Sequence, residues 1–171
     1  MELFFPPAFI KGVLRTAPLT AAPASTPLDR TYTHRLHALA KITDRATQLA
    51  YEDEVGIPIS EGRCLAAIGS FHPLSVNDLA MRANLNKAQA SRSTQALVDQ
   101  GMVLKQASEL DGRGVVLSLT PKGQALWEKV IAIIARRNAE IMAALTNDEQ
   151  AQLDYLLDRL IQHARKTSRA D

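Results

Sequence analysis

The side chains best suited to chemistry on another macromolecule lie in one short run, Lys87-Ala-Gln-Ala-Ser-Arg-Ser-Thr-Gln95. A helix over Lys87 to Gln100 turns about 100° per residue, which sends Ala90, Thr94, Leu97 and Gly101 inward and leaves Ala88, Gln89, Arg92, Ala96 and Asp99 on the opposite face. Gln89 carries an amide that pairs with an adenine edge, and Arg92 a fork that fits guanine or phosphate. Lys87, Ser91, Ser93 and Gln95 flank them with donors suited to phosphate oxygens. A polar helix face is by itself only a solvated surface, so its meaning depends on the elements that hold it.

Those elements can be read from caps and turns. Asn86 caps the helix and Gly101 closes it in an expected left-handed conformation. Before it, Ser75-Val-Asn-Asp78 is an N-cap with an acid at its third position, opening a short helix through Leu79, Ala80 and Ala83. Two helices are thus joined by a very short turn. After it, Met102–Lys105 and Val115–Leu119 are β-prone and separated by Ser108-Glu-Leu-Asp-Gly-Arg113, which predicts a hairpin with two strands. Arg113 at its Gly-flanked tip is placed to enter a narrow minor groove, with Asp111 orienting the guanidinium or bracing the turn, and Lys105 on the first strand is a further DNA contact.

The rest of the chain supplies longer helices. Apolar positions Tyr32, Leu36, Leu39, Ile42, Ala46 and Ala50 mark helix one, about 29–54, and Ser60 is read as the cap of a second helix whose Cys64, Leu65, Ile68 and Phe71 share a face. Thr120-Pro121 starts a long helix, and Thr146-Asn-Asp-Glu149 is a capping box for the last, with Leu153, Leu156, Leu157, Leu160 and Ile161 along one side. Pro18, Pro23 and Pro27 among Ala, Thr and Ser mark a linker, so residues 1–28 are read as an extension and residues 29–171 as the core domain. Within it, about 60–120 is the winged part, and the helices at about 29–54 and 121–168 form a dimerisation layer. The fold class expected is α+β, mostly α: six helices, a winged helix-turn-helix and a helical layer.

Composition excludes much else. The chain has 171 residues, 46% of them hydrophobic and 22% charged, enough to bury a core. Its net charge of +2 does not announce nucleic acid. Around the helix pair and hairpin, Arg82, Lys87, Arg92, Lys105 and Arg113 face Asp78, Asp99, Glu109 and Asp111, so placement decides rather than sum. One cysteine, Cys64, rules out a disulfide framework or a multi-Cys zinc site and fits a reducing cytoplasm. No apolar run suits a bilayer span, and the N-terminus lacks the basic region of a signal peptide, so a cytoplasmic location is expected. His34 and His37 are spaced to hold zinc, with Glu52, Asp53 and Glu54 as further candidates, but all read better as solvated, and no metal or cofactor is expected. No phosphate loop, nucleophile elbow or H-E-x-x-H motif is present, so no catalysis is expected.

In combination, Leu74-Ser-Val-Asn-Asp-Leu-Ala80, Asn86–Arg92, Leu97–Val103, Asp111-Gly-Arg113 and Leu119-Thr-Pro-Lys-Gly123 resemble the MarR family of bacterial transcriptional regulators, over about residues 35–162. The resemblance implies a homodimer on a pseudo-palindromic double-stranded DNA operator, usually as a repressor released by a small phenolic or aromatic carboxylate effector. It also gives Asn86–Arg92 the part of recognition helix and Asp111-Gly-Arg113 that of wing. Arg35 projects about 40° from the centre of helix one's apolar stripe and needs an anion. A carboxylate ligand held there beneath Ile68 and Phe71 is one partner, with His37 and Arg63 as weaker contacts, and an internal salt bridge is the other. A winged protein without an effector, or a thiol sensor acting through Cys64, are the alternatives, although Cys64 on a core face reads as inert.

Overall fold

The structure, a computed structural model, describes residues 26–107 and 115–167. Its elements are α1 (Tyr32–Val55), α2 (Ile59–Ser70), β1 (Leu74–Ser75), α3 (Val76–Arg82), α4 (Lys87–Asp99), β2 (Val103–Ala107), β3 (Val115–Leu119), α5 (Pro121–Met142) and α6 (Asn147–Thr167), preceded by a 3-10 turn at Leu28–Arg30. They divide within α1, between Leu39 and Ala40, into two units. In the first, the Thr31 hydroxyl donates to the Leu28 carbonyl at 2.7 Å, and the His34 amide donates to that hydroxyl at 3.4 Å.

The second unit holds the core. Helix α2 is its centre because it packs on both α4 and α5, and its Leu65, Ala67 and Ile68 are each at most 3% exposed. Leu79 from α3, Leu97 from α4, Leu117 from β3 and Val130 from α5 close around them at 1% exposure or less. Burying a side chain of this size contributes about 1.5 to 3 kcal/mol, so this small set fixes how the helix pair sits on α2. Sequence placed Phe71 on the same face, yet it is 45% exposed. It is the C-cap residue of α2, past the last turn in which helical periodicity holds.

The helix starts follow their caps with one exception. The Ser75 hydroxyl accepts from the Asp78 amide, Asn86 and Gln89 form a reciprocal capping box, and Thr120 accepts from the Gly123 amide with Pro121 at the first helical position. At α6, Thr146 and Glu149 exchange hydrogen bonds, and these hold the Glu149 carboxyl below its usual range. Helix α2, in contrast, begins at Ile59 behind Pro58, and Ser60 lies inside it: the extended backbone of Pro58 ends the loop before a serine cap is needed.

The hairpin forms with Val103 opposite Leu119 and Lys105 opposite Leu117. A third strand, which the sequence reading did not include, pairs Leu74 with Leu117 and Ser75 with Val116, giving the order β1-β3-β2. Two residues are too few for a visible alternation, but burial of Leu74 at 4% pins them to β3.

Apolar surface remains along two helices. Tyr32, Leu36, Leu39 and Ile42 of α1 are 53–82% exposed, and Tyr155, Leu156, Leu157, Leu160 and Ile161 of α6 are also exposed. Among the described residues no helix is long and apolar enough to cross a membrane.

Candidate nucleic-acid interface

The interface is built on α3 and α4 and the turn between them. Asn84 adopts φ +52°, a left-handed conformation that asparagine tolerates better than most residues, and so reverses the chain within Ala83–Asn86. The Leu85 amide donates to the Ala80 carbonyl at 2.9 Å and the Ala83 amide to Leu79 at 2.8 Å, which caps α3 before α4 begins. Gly101 closes α4 at φ +71°, as expected from its type, while the Met102 amide reaches back to the Leu97 carbonyl at 2.8 Å.

On α4 the inward stripe is Ala90, Ser93, Thr94 and Leu97, all buried. Lys87, Gln89, Ser91, Arg92 and Gln95 are exposed, so the fork and amide of Arg92 and Gln89 point away from the core on a rigid helix. Two positions differ from expectation. Ser93, read as a phosphate contact, is 7% exposed, because three residues after Ala90 it falls inside the buried stripe. Gly101, read as inward, is exposed, since it lies beyond the last helical residue Asp99. The Gln89 side chain is also engaged in the capping box, its oxygen accepting from the Asn86 amide at 3.4 Å.

Two further side chains are tied together beside this face. Lys105 Nζ on β2 donates to Gln95 Oε1 at 2.7 Å, and Gln95 Nε2 donates to Asp99 Oδ1 at 2.7 Å. A groove of about 210 Å³ between α3 and α4 has Leu79, Ala80 and Ala90 in its lining, with Lys87 and Ser91 also on its walls. Arg82, at the end of α3, lies 4.6 Å over the Phe71 ring. This exposed cation was counted in the sequence but given no role. Its only sequence signal was its place in the last turn of α3. Asp111 and Arg113, with the rest of 108–114, lie outside the described residues.

The helix is anchored from behind. Lys122 Nζ of α5 donates to the Gln100 carbonyl at 3.0 Å, Thr120 Oγ1 donates to the Gly101 carbonyl at 2.8 Å, and Gln100 Nε2 donates to Glu61 of α2 at 3.1 Å. Cys64 sits beneath α4, fully buried, with Sγ 3.9 Å from the Ala90 carbonyl. Burial pushes its thiol up to about 11, against a lowering hydrogen bond with Thr94. Burial likewise raises the Tyr51 hydroxyl to about 12, although the Arg63 charge pulls the other way.

The residues grouped for a ligand have separate fates. Arg35 and His37 are exposed on α1, whereas Ile68 is 1% exposed inside the core cluster and presents no surface, because α2 packs on both α4 and α5. Arg63 is paired with Asp44, Nη2 to Oδ1 at 2.5 Å. His34 is exposed too, and among the described residues no group of His, Cys, Asp and Glu could hold a metal ion.

A short turn between two helices, an outward polar face on the second and a hairpin behind it define a winged helix-turn-helix. Residues 55–114 match the model of the MarR family. The HTH-type transcriptional repressor Rv2887 of Mycobacterium tuberculosis is 28% identical over 106 residues, which cover 62% of this chain and 76% of the relative. The solved MarR/EmrR family regulator from Acinetobacter sp. ADP1 has a TM-score of 0.75 at 25% identity, covering 82% of this chain and 99% of that one. Rv2887 in complex with salicylic acid has a TM-score of 0.63 at 25% identity, covering 80% and 98%.

Proposed function

We propose that the chain is a dimeric transcriptional repressor that holds a pseudo-palindromic operator and leaves it when a small aromatic acid binds. The observation that carries the DNA reading is the exposure of Gln89 and Arg92 on a helix capped at Asn86 and anchored by Lys122 and Gln100. Such a helix is preorganised for the major groove, and Arg113 of the wing is the minor-groove contact. Dimerisation is supported by the exposed stripes of α1 and α6, because Tyr32, Leu36, Ile42, Tyr155 and Leu160, each 53–82% exposed, are too apolar a set to leave in water. Half-sites then lie about one helical turn, roughly 10 base pairs, apart.

The effector class is supported by the relative whose structure holds salicylic acid. Arg35, exposed on α1, is the cation proposed to meet its carboxylate, since the Arg63 fork already holds Asp44. The thiol alternative is not favoured: a fully buried sulfur whose pKa is pushed to about 11 is a poor nucleophile for peroxide.

Selection of duplexes from a random library, followed by gel shift, tests the first half. Failure to enrich any palindrome would remove the operator reading. A panel of benzoates, cinnamates, phenols and their thioesters, read by calorimetry and gel shift, tests the second. An effector that releases DNA must bind free repressor more tightly than the operator complex, and Arg35→Ala should lose that response while keeping operator affinity. An unchanged response would take Arg35 out of the site.

A further inference from the structure

On β2, Val103 is buried at 1% and every later residue of the strand is exposed. No buried apolar side chain therefore ties the outer part of this wing strand to α4. What reaches across is polar. Lys105 lies two residues beyond Val103, hence on the same side of the strand, and its ammonium donates to the Gln95 oxygen. The Gln95 amide donates one helical turn onward to Asp99. Both bonds are 2.7 Å and both run in one direction, from a cation through a neutral amide to an anion, so each polarises the other.

We propose that Lys105, Gln95 and Asp99 form a positioning relay that fixes the wing strand against the reading helix. It rests on the operator reading above. A winged protein reads two grooves at once, and the distance between its helix and its wing decides which pair of groove segments fits both. The relay sets that distance. Lys105 accordingly spends its charge on Gln95 rather than on a phosphate, and Gln95 reads no base. Both are positioning residues.

The test uses the full chain and the duplex obtained by selection, with Gln95→Met, Lys105→Met, the double variant, and the exchange Gln95→Glu with Asp99→Asn. The exchange keeps the net charge: the new carboxylate accepts from Lys105 and the new amide donates to it. Each methionine variant should lose about fivefold in operator affinity, and the double variant no more than about twofold beyond either single, because one shared link is broken once. The charge-conserving exchange should stay within about twofold of wild type. The slope of log affinity against log salt should be unchanged in Lys105→Met; a slope shallower by about 0.9 would mean a phosphate contact was lost and would overturn the relay, as would additive losses.

A second readout needs no DNA. Amide hydrogen exchange at Leu104–Ala107 in the free protein should speed up in both single methionine variants and recover in the exchange variant. Unaltered exchange in the methionine variants would overturn the relay whatever the binding data say. If wild type binds no selected duplex, the operator reading falls, while hydrogen exchange still decides whether the link exists.

Discussion

Alanine at position 123 sets two effects of opposite sign against each other. Gly123 lies in the first turn of α5, where alanine is the better helix former by about 1 kcal/mol, so propensity alone predicts a gain in stability. A Cβ there would drive into the main chain of Met102, reaching its carbonyl oxygen first and lying 2.9 Å from the carbonyl carbon. Backbone cannot swing aside as a side chain can. The start of α5 must lift, and four bonds cross that seam: Thr120 Oγ1 to the carbonyls of Gly101 and Met102, the Thr120 amide to Met102 at 3.0 Å, and Lys122 Nζ to Gln100.

Overpacking of this kind costs about 1 to 3 kcal/mol, and stretching the seam bonds adds about 1 to 2 more. Set against the propensity gain, the net is a loss of about 1 to 4 kcal/mol. With a urea slope of about 2 kcal/mol per molar, the middle of that range lowers the unfolding midpoint by about 1 M at fixed protein concentration. Ala125→Gly, on the exposed side of the same helix, should cost only the propensity difference of about 1 kcal/mol. A Gly123→Ala protein as stable as wild type, or more so, would refute the reasoning: α5 would then not be seated on Met102. If the loss is found, operator affinity should fall as well, since the same seam holds the C-terminal end of α4.

Arg92→Ala and Gln89→Ala should each cost about 1 to 3 kcal/mol of operator affinity wherever the side chain makes a bidentate base contact, with relaxed preference at that base pair; retained affinity and preference in gel-shift titration would show that α4 is docked differently. Gln89→Ala should also weaken the capping box and lower thermal stability, which Arg92→Ala should not. The raised thiol of Cys64 and hydroxyl of Tyr51 make the folded state hold protons that the unfolded chain releases. The contribution of these two groups should therefore be constant below about pH 9 and fall by about 1 kcal/mol per pH unit for each as pH climbs toward 11 and 12. Cys64→Ala should flatten the first part of that decline in urea titrations between pH 8 and 10.5, and an identical slope in the variant would remove Cys64 as the cause.

Four helix starts were legible because each is encoded in residues next to one another. Asn86 with Gln89, Ser75 with Asp78, Thr146 with Glu149 and Thr120 with Pro121 act over three or four positions, a range within which the backbone geometry is already decided. Strand β1 was missed because its partner, β3, comes about forty residues later, and a two-residue strand carries no period of its own. Ser93 was misplaced by a narrower cause. Taking Ala90, Thr94 and Leu97 as the centre of the stripe was right, but the buried arc of a packed helix is wide enough to take in a neighbour on either side, and Ser93 is small enough to enter it.

The same distinction runs through the candidate interface. Exposure of Gln89 and Arg92 follows from one angle repeated along one helix, so it could be worked out before any fold was known. What holds that helix could not. Lys105 reaches Gln95 from ten residues away, Lys122 reaches the Gln100 carbonyl from twenty-two, and Gln100 reaches Glu61 from thirty-nine. Each is a polar side chain that any periodicity argument assigns to solvent. The sequence assigns Gln95 to phosphates and Lys105 to DNA, and the relay gives both a different task. A reading helix needs two properties, side chains that can recognise a base and a mounting stiff enough to make recognition selective. The first is a property of residue types in order. The second belongs to distant parts of the chain brought together by folding.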